Sequence, residues 1–153
     1  MNFELVKLEE KKVAGLRTRT ENTDPEMGSK IGQLWQSFYA DGICQSLPGK
    51  KNDKSIGLYT NYENGVGGTY DVLVCAEVNN LDSMPEKVET EIIEAGTYAK
   101  FIIHGHVQQA VAEFWGELWG MDLDRKFGCD FEEYQAGGDM DNAEIHIYIS
   151  LNA

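Results

Sequence analysis

Apolar and polar positions alternate at the start of the chain as Phe3-Glu4-Leu5-Val6-Lys7-Leu8, and apolar character resumes at Val13-Ala14-Gly15-Leu16 after the charged run Glu9-Glu10-Lys11-Lys12. With Arg17-Thr18-Arg19-Thr20, these residues predict one extended, strand-like opening. Asp24-Pro25 then gives a helix-start signal, an Asp cap before a Pro at the first helical position. Ile31, Leu34, Trp35, Phe38 and Tyr39 recur at helical spacing, which places a helix near residues 25–41. Two β-rich runs follow, Ile56 to Tyr62 and Tyr70 to Val78, and the intervening Asn64-Gly65-Val66-Gly67-Gly68-Thr69 reads as a hairpin loop. Beyond a loop over 79–86, Val88 to Ile93 and Thr97 to His104 are extended, with a turn at Ala95-Gly96. Val107, Ala110, Val111, Phe114, Trp115 and Leu118 restore helical spacing over 107–119. Cys129 to Tyr134 and Glu144 to Leu151 close the chain as strands on either side of a Gly137-Gly138-Asp139 loop.

The order strand, helix, strand, strand is thus written twice, over residues 2–78 and 88–151, within one domain spanning 1–153. Val13 to Leu16 answers to Tyr98 to Phe101, Leu34-Trp35 to Phe114-Trp115, and Tyr70 to Val78 to Glu144 to Leu151. Residue identity between the halves is slight, so this is a repeat of pattern. Two β-α-β-β units side by side predict an α+β fold: one antiparallel sheet with pseudo-twofold symmetry and both helices on one face. A concave ligand groove is expected on the opposite face, along the seam. In the last strand Ile145, Ile147, Ile149 and Leu151 alternate with Glu144, His146, Tyr148 and Ser150. The apolar set is expected under the helices, with Tyr148 and His146 facing the groove.

Composition narrows the function. The chain has 153 residues with 13 Lys plus Arg against 26 Asp plus Glu, a formal net charge of −13. Nucleic-acid affinity rests on neutralising phosphates with Lys and Arg, so direct nucleic-acid binding is not expected. An anionic membrane surface is disfavoured for the same reason. No apolar run approaches the ~20 residues of a membrane helix, and the first residues do not form a secretory signal. Cys44, Cys75 and Cys129 are three widely spaced cysteines without a CxxC pair, which reads as reduced thiols in a cytoplasmic protein.

Candidate chemistry is sparse. Gly65-Val66-Gly67-Gly68 looks like a phosphate loop but is followed by a strand, not by the helix that phosphate binding requires. His104, His106 and His146 lack carboxylate or thiolate partners at metal-ligand spacing and read as strand-end histidines. No nucleophile motif and no cofactor motif is present. The carboxylates carry more information. Glu77 lies inside the apolar run Val72 to Val78, and Glu132 lies between Phe131 and Tyr134. A half-buried carboxylate must be paired, neutralised or solvated. Either residue could be an edge group facing water. Alternatively, one could floor an aromatic groove and hold a cation through its charge and the ring quadrupoles. Tyr59, Tyr62, Tyr98, Tyr134, Tyr148 and Trp119 could supply the rings, whereas Trp35 and Trp115 sit at helix-core positions.

These residues resemble the GyrI-like family, the effector-binding domain of AraC- and MerR-type drug-sensing regulators. The matching segments are Val13-Ala14-Gly15-Leu16-Arg17, Tyr70 to Val78, Ala95 to Phe101, Glu117-Leu118-Trp119, Phe131-Glu132-Glu133-Tyr134 and Ile145-His146-Ile147-Tyr148-Ile149, in the family's order. The resemblance implies two fused β-α-β-β modules and a pocket for lipophilic, often cationic, small molecules around an acidic residue that matches Glu132. The expected ligand-binding residues are therefore Glu132, Trp119, Tyr134, Tyr148, Tyr59 and Glu77. A helix-turn-helix domain has no room here, so the resemblance implies a stand-alone module. Trp119-Gly120-Met121 departs from the Trp-Leu-Pro of many relatives. Two alternatives remain open at this stage. One is a hydrolase of strained hydrophobic molecules using Glu132 with a tyrosine. The other is an acidic protein inhibitor of the gyrase-inhibiting type, which would have a protein partner.

Overall fold

The computed structural model describes residues 2–65, 67–135 and 141–152, so Val66 and the Gly137-Gly138-Asp139 loop lie outside the described residues. Among the described residues, eight strands and three helices run in the order β1 (Glu4–Leu8), β2 (Lys11–Glu21), α1 (Met27–Ala40), α2 (Ile43–Ser46), β3 (Ser55–Thr60), β4 (Thr69–Val78), β5 (Glu89–Ile93), β6 (Gly96–Gly105), α3 (Val107–Leu118), β7 (Asp130–Tyr134) and β8 (Ala143–Ser150). The helix predicted from residue 25 begins two residues later. Asp24 closes the preceding turn: its carboxylate accepts from the Glu26 N–H at 2.8 Å and from Lys30 Nζ at 2.7 Å.

All strands join one antiparallel sheet in the order β1-β6-β8-β7-β3-β4-β2-β5. The two β-α-β-β units, β2-α1-β3-β4 and β6-α3-β7-β8, meet at β3 and β7. The lead-in strands are exchanged: β1 flanks the second unit and β5 flanks the first. The single extended opening predicted over residues 3–20 is therefore two strands at opposite sides of the sheet, broken at Glu9-Glu10.

This exchange forces the sheet to roll. Only Glu94 and Ala95 separate β5 from β6, yet six strand spacings separate them in the sheet. Six spacings amount to about 29 Å in a flat sheet, and so short a connection reaches only about 10 Å. The rolled interior is a core of Val13, Ile56, Leu58, Leu73, Cys75, Ile93, Tyr98, Cys129, Phe131 and Tyr148. The face without helices is thus packed solid and offers no groove, which corrects the position expected above.

The helices lie on the outer face and cover different strands. Phe38 and Leu34 of α1 pack on Ala14, Val74, Ala76 and Val78 of β2 and β4. Phe114 and Leu118 of α3 pack on Ala99, Phe101, Ile145, Ile147 and Ile149 of β6 and β8. As the alternation predicts, the isoleucines of β8 face a helix. The central pair β3 and β7 has no helix over it, and a cleft opens there.

Candidate functional site

The cleft has a volume of about 1410 Å³, enough for a drug-sized molecule. Its walls come from matching stripes on the two helices. Met27, Ile31, Trp35 and Tyr39 line it from α1, and Val107, Val111, Trp115 and Trp119 from α3 and its exit. Each set repeats every four residues, so each lies along one helix face beside the core stripe. The floor is Ser55 and Tyr59 of β3 with Glu132 and Tyr134 of β7.

Glu132 lies at the centre of this floor. In the sheet it stands opposite Gly57, and that glycine makes the carboxylate's position possible. A Cβ at residue 57 would lie 3.1 Å from Glu132 Oε1 and 3.4 Å from Trp35 Cζ2. Glu132 is 2 % exposed, and its carboxylate accepts three hydrogen bonds among the described residues, all from uncharged donors. The Trp115 Nε1–H and the Tyr59 hydroxyl donate to Oε2 at 2.7 and 3.0 Å, and the Tyr134 hydroxyl donates to Oε1 at 2.7 Å. No Lys, Arg or His among the described residues forms an ion pair with it. Burial outweighs the three donors and raises its pKa above the ordinary carboxylate value. Burial first, and the Glu132 charge second, hold Tyr59 and Tyr134 well above the ordinary phenol value, so both remain protonated donors. The same causes push Tyr70 up to about 12.

Rings close around the acid. Trp35 meets Tyr134 edge-on at 5.0 Å between centroids, and Trp115 meets Tyr59 edge-on at 5.4 Å. Tyr59 continues to Tyr70 at 6.0 Å, and Tyr70 to Tyr62 at 5.6 Å. Trp119, 56 % exposed, stands at the mouth. The arrangement is an aromatic box with a carboxylate at its base that has no basic partner among the described residues.

Of the six residues expected to bind a ligand, the structure gathers Glu132, Tyr59, Tyr134 and Trp119 around this cleft. Tyr148 and Glu77 are elsewhere. Tyr148, 8 % exposed, stacks on Phe131 at 4.6 Å inside the rolled sheet, because the residues alternating with the isoleucines point away from the helices. Glu77 is held at the end of β4 by Lys11 at 3.5 Å and Lys51 at 3.4 Å. Trp35 and Trp115, expected in the helix core, pack against it and also form the cleft walls. His104 and His146 bond to Glu144 at 3.2 and 2.7 Å, which accounts for both. The residues missed from sequence are Trp35, Trp115, Gly57 and Arg125. The shared four-residue spacing of Ile31-Trp35-Tyr39 and Val111-Trp115-Trp119 was the available signal for the first two. Arg125 and Gly57 carried none.

Comparison with known proteins agrees with this architecture. Residues 4–151 match the family described as Cass2, integron-associated effector binding protein. YobU of Bacillus subtilis (strain 168), which carries the provisional name of a transcriptional regulator, is 31 % identical over 150 residues, covering 94 % of each chain. An integron cassette protein from the mobile metagenome of Vibrio cholerae superposes with a TM-score of 0.76 at 28 % identity, over 96 % of this chain and 95 % of that one. SAV2435, in a structure bound to tetraphenylphosphonium, superposes with a TM-score of 0.82 at 21 % identity, over the whole of this chain and 95 % of its own. The chain belongs to the Cass2 family of integron-associated effector-binding proteins, within the GyrI-like fold that its paired modules build.

Proposed function

We propose that this protein binds lipophilic cations in the cleft between α1 and α3, with Glu132 as the countercharge. The observation that carries this reading is the state of Glu132: a buried carboxylate with three neutral donors, no basic partner and an aromatic cleft above it. Ionising such a group without a cation is costly, and a cation entering the box recovers that cost. The surrounding rings add attraction through their negative faces. An anion would meet the same carboxylate and an acidic protein, and a neutral ligand would leave the carboxylate unpaired. The tetraphenylphosphonium bound by SAV2435 is a compound of the favoured class and a natural first probe.

The cleft works by binding and not by turnover in this reading. The tyrosines beside Glu132 are held protonated, so they position its oxygens and cannot serve as bases near neutrality. An inhibitor acting through its acidic surface would have no need of the cleft. The test is Glu132→Gln, which keeps the size of the side chain and removes its charge. Affinity for tetraphenylphosphonium and a series of quaternary ammonium compounds should fall by about 1–3 kcal/mol, roughly 5- to 150-fold. Equal affinities of wild type and Glu132→Gln across the series would overturn the proposal.

A further inference from the structure

One end of the cleft holds a second polar group that the cation reading does not use. Arg125, on the connection between α3 and β7, lines the cleft together with Tyr62, Tyr70 and Trp119. Its Nη2 donates to Asp130 Oδ2 at 2.8 Å, and the Tyr62 hydroxyl donates to the same oxygen at 2.7 Å. Asp130 Oδ1 accepts from the Ser150 N–H at 2.8 Å and the Ser150 hydroxyl at 3.1 Å. The fully buried Asp130 is therefore well satisfied. The guanidinium is not. It rests on the Phe127 ring at 4.2 Å; its Nε is buried with no acceptor, and its Nη1, which is not buried, has no acceptor among the described residues. Among the described residues Asp130 is its only hydrogen-bond acceptor, although a guanidinium carries five N–H groups. The unpaired Nη1 of this cleft-lining residue is a donor open to a ligand, and its neighbours are fixed in place by the Asp130 network.

We infer that this end of the cleft recognises an uncharged oxygen of the ligand, so that the favoured ligands are lipophilic monocations bearing a carbonyl or ether oxygen. The inference rests on the cation reading for the other point of attachment. Charge decides the type of acceptor. Arg125 and Asp130 together sum to zero, and Glu132 lies on the same face of β7. A carboxylate or phosphate on the ligand would face two carboxylates against one guanidinium, whereas a neutral oxygen meets only an available donor. Spacing decides the ligand's length. Asp130 and Glu132 are two residues apart on one strand, about 7 Å, and Arg125 lies beyond Asp130. The ligand's oxygen therefore sits at least about 7 Å from its cationic centre. The pseudo-symmetric cleft thereby acquires a direction, with a charge point at its middle and a donor point at one end.

The experiment uses three alkyltriphenylphosphonium cations of that length, ending in a methyl ketone, in its isosteric isopropenyl group, or in a carboxylate. Their affinities are measured by Trp fluorescence or calorimetry on wild type and on Arg125→Lys. Lysine keeps the ion pair with Asp130 but removes the Nη1 donors and the planar fork. Wild type should bind the ketone about tenfold more tightly than the isopropenyl compound, as for a hydrogen bond to a charged donor. The carboxylate should bind least tightly, and in Arg125→Lys the ketone and isopropenyl compounds should bind alike. Equal affinity of that pair in wild type, survival of the difference in Arg125→Lys, or tightest binding of the carboxylate would overturn the inference. Should Arg125→Lys fail to fold, the Arg125 Nη1–H resonance of wild type decides. It should shift with the ketone and not with the isopropenyl compound, and no ketone-specific shift would overturn the assignment. An uncharged isostere of the ketone compound separates the two readings: binding as tight as the cation's would refute Glu132's role, not Arg125's.

Discussion

Replacing Gly57 by alanine adds one methyl group at the point where the sheet and the proposed charge site meet. The new Cβ would lie 3.1 Å from Glu132 Oε1 and 3.4 Å from Trp35 Cζ2, so the carboxylate or the indole must give by a few tenths of an ångström. Both are already held. Glu132 has bonds of 2.7 Å to Trp115 and to Tyr134, and Trp35 packs against the Tyr134 ring at 5.0 Å. Overpacking of this kind typically costs about 1–3 kcal/mol. The smaller conformational freedom of alanine in the unfolded chain offsets roughly 0.4–1 kcal/mol of that cost. A net loss near 1 kcal/mol corresponds to a fall in Tm of about 2–4 °C for a chain of this size. Cation affinity should suffer more. A misaligned hydrogen bond to a charged group forfeits about 1.5 kcal/mol, or roughly tenfold in Kd, while uncharged aromatic ligands lose less. Thermal melts paired with Trp fluorescence titrations of tetraphenylphosphonium measure both effects. Unchanged cation affinity in Gly57→Ala would refute the argument that Glu132 must occupy this position to hold the ligand.

Two further outcomes follow from the same geometry. Gly32 lines the cleft with open space around its Cβ direction, so Gly32→Ala should stabilise the fold by about 1 kcal/mol through helix propensity and raise Tm, while weakening the bulkiest ligands; a lower Tm would contradict the open space. The raised pKa of Glu132 means that its contribution to ligand-free stability is full below the unfolded carboxylate pKa and is lost as pH rises through the folded value. Affinity for a permanently charged cation should therefore weaken as pH falls through that folded value, with proton release on binding. Titrations over a wide pH range should show this dependence in wild type and not in Glu132→Gln, and a pH-independent wild type would contradict it.

Alternation and helical spacing made the two modules, both long helices and the faces of β8 legible in the sequence, because each is a local pattern that burial enforces. The exchange of β1 and β5 was not. Glu4 to Leu8 alternates equally well beside any partner strand, and only the short connections at Glu9-Glu10 and Glu94-Ala95 restrict the choice. Missing that exchange hid the rolling of the sheet, and with it the packed interior where Tyr148 stacks on Phe131. The cleft was sought on the wrong face for that reason. Trp35 and Trp115 were assigned to the core because each does pack against it, and one step around a helix separates a core-facing position from a cleft wall. Glu132 was legible because a carboxylate between Phe131 and Tyr134 conflicts with its surroundings. Arg125 was not, since nothing in Leu123-Asp124-Arg125-Lys126 distinguishes it from a solvated loop residue.

The central claim is that the cleft discriminates by charge, and calorimetry of wild-type protein with a quaternary ammonium ligand and its uncharged tert-alkyl isostere tests it most directly. The two compounds match in shape and apolar surface, so the difference in their affinities isolates the interaction with Glu132 and its ring of aromatics. The cation should bind at least about tenfold more tightly, in keeping with a charge pair in a partly buried site. Equal or tighter binding of the uncharged isostere would contradict the account.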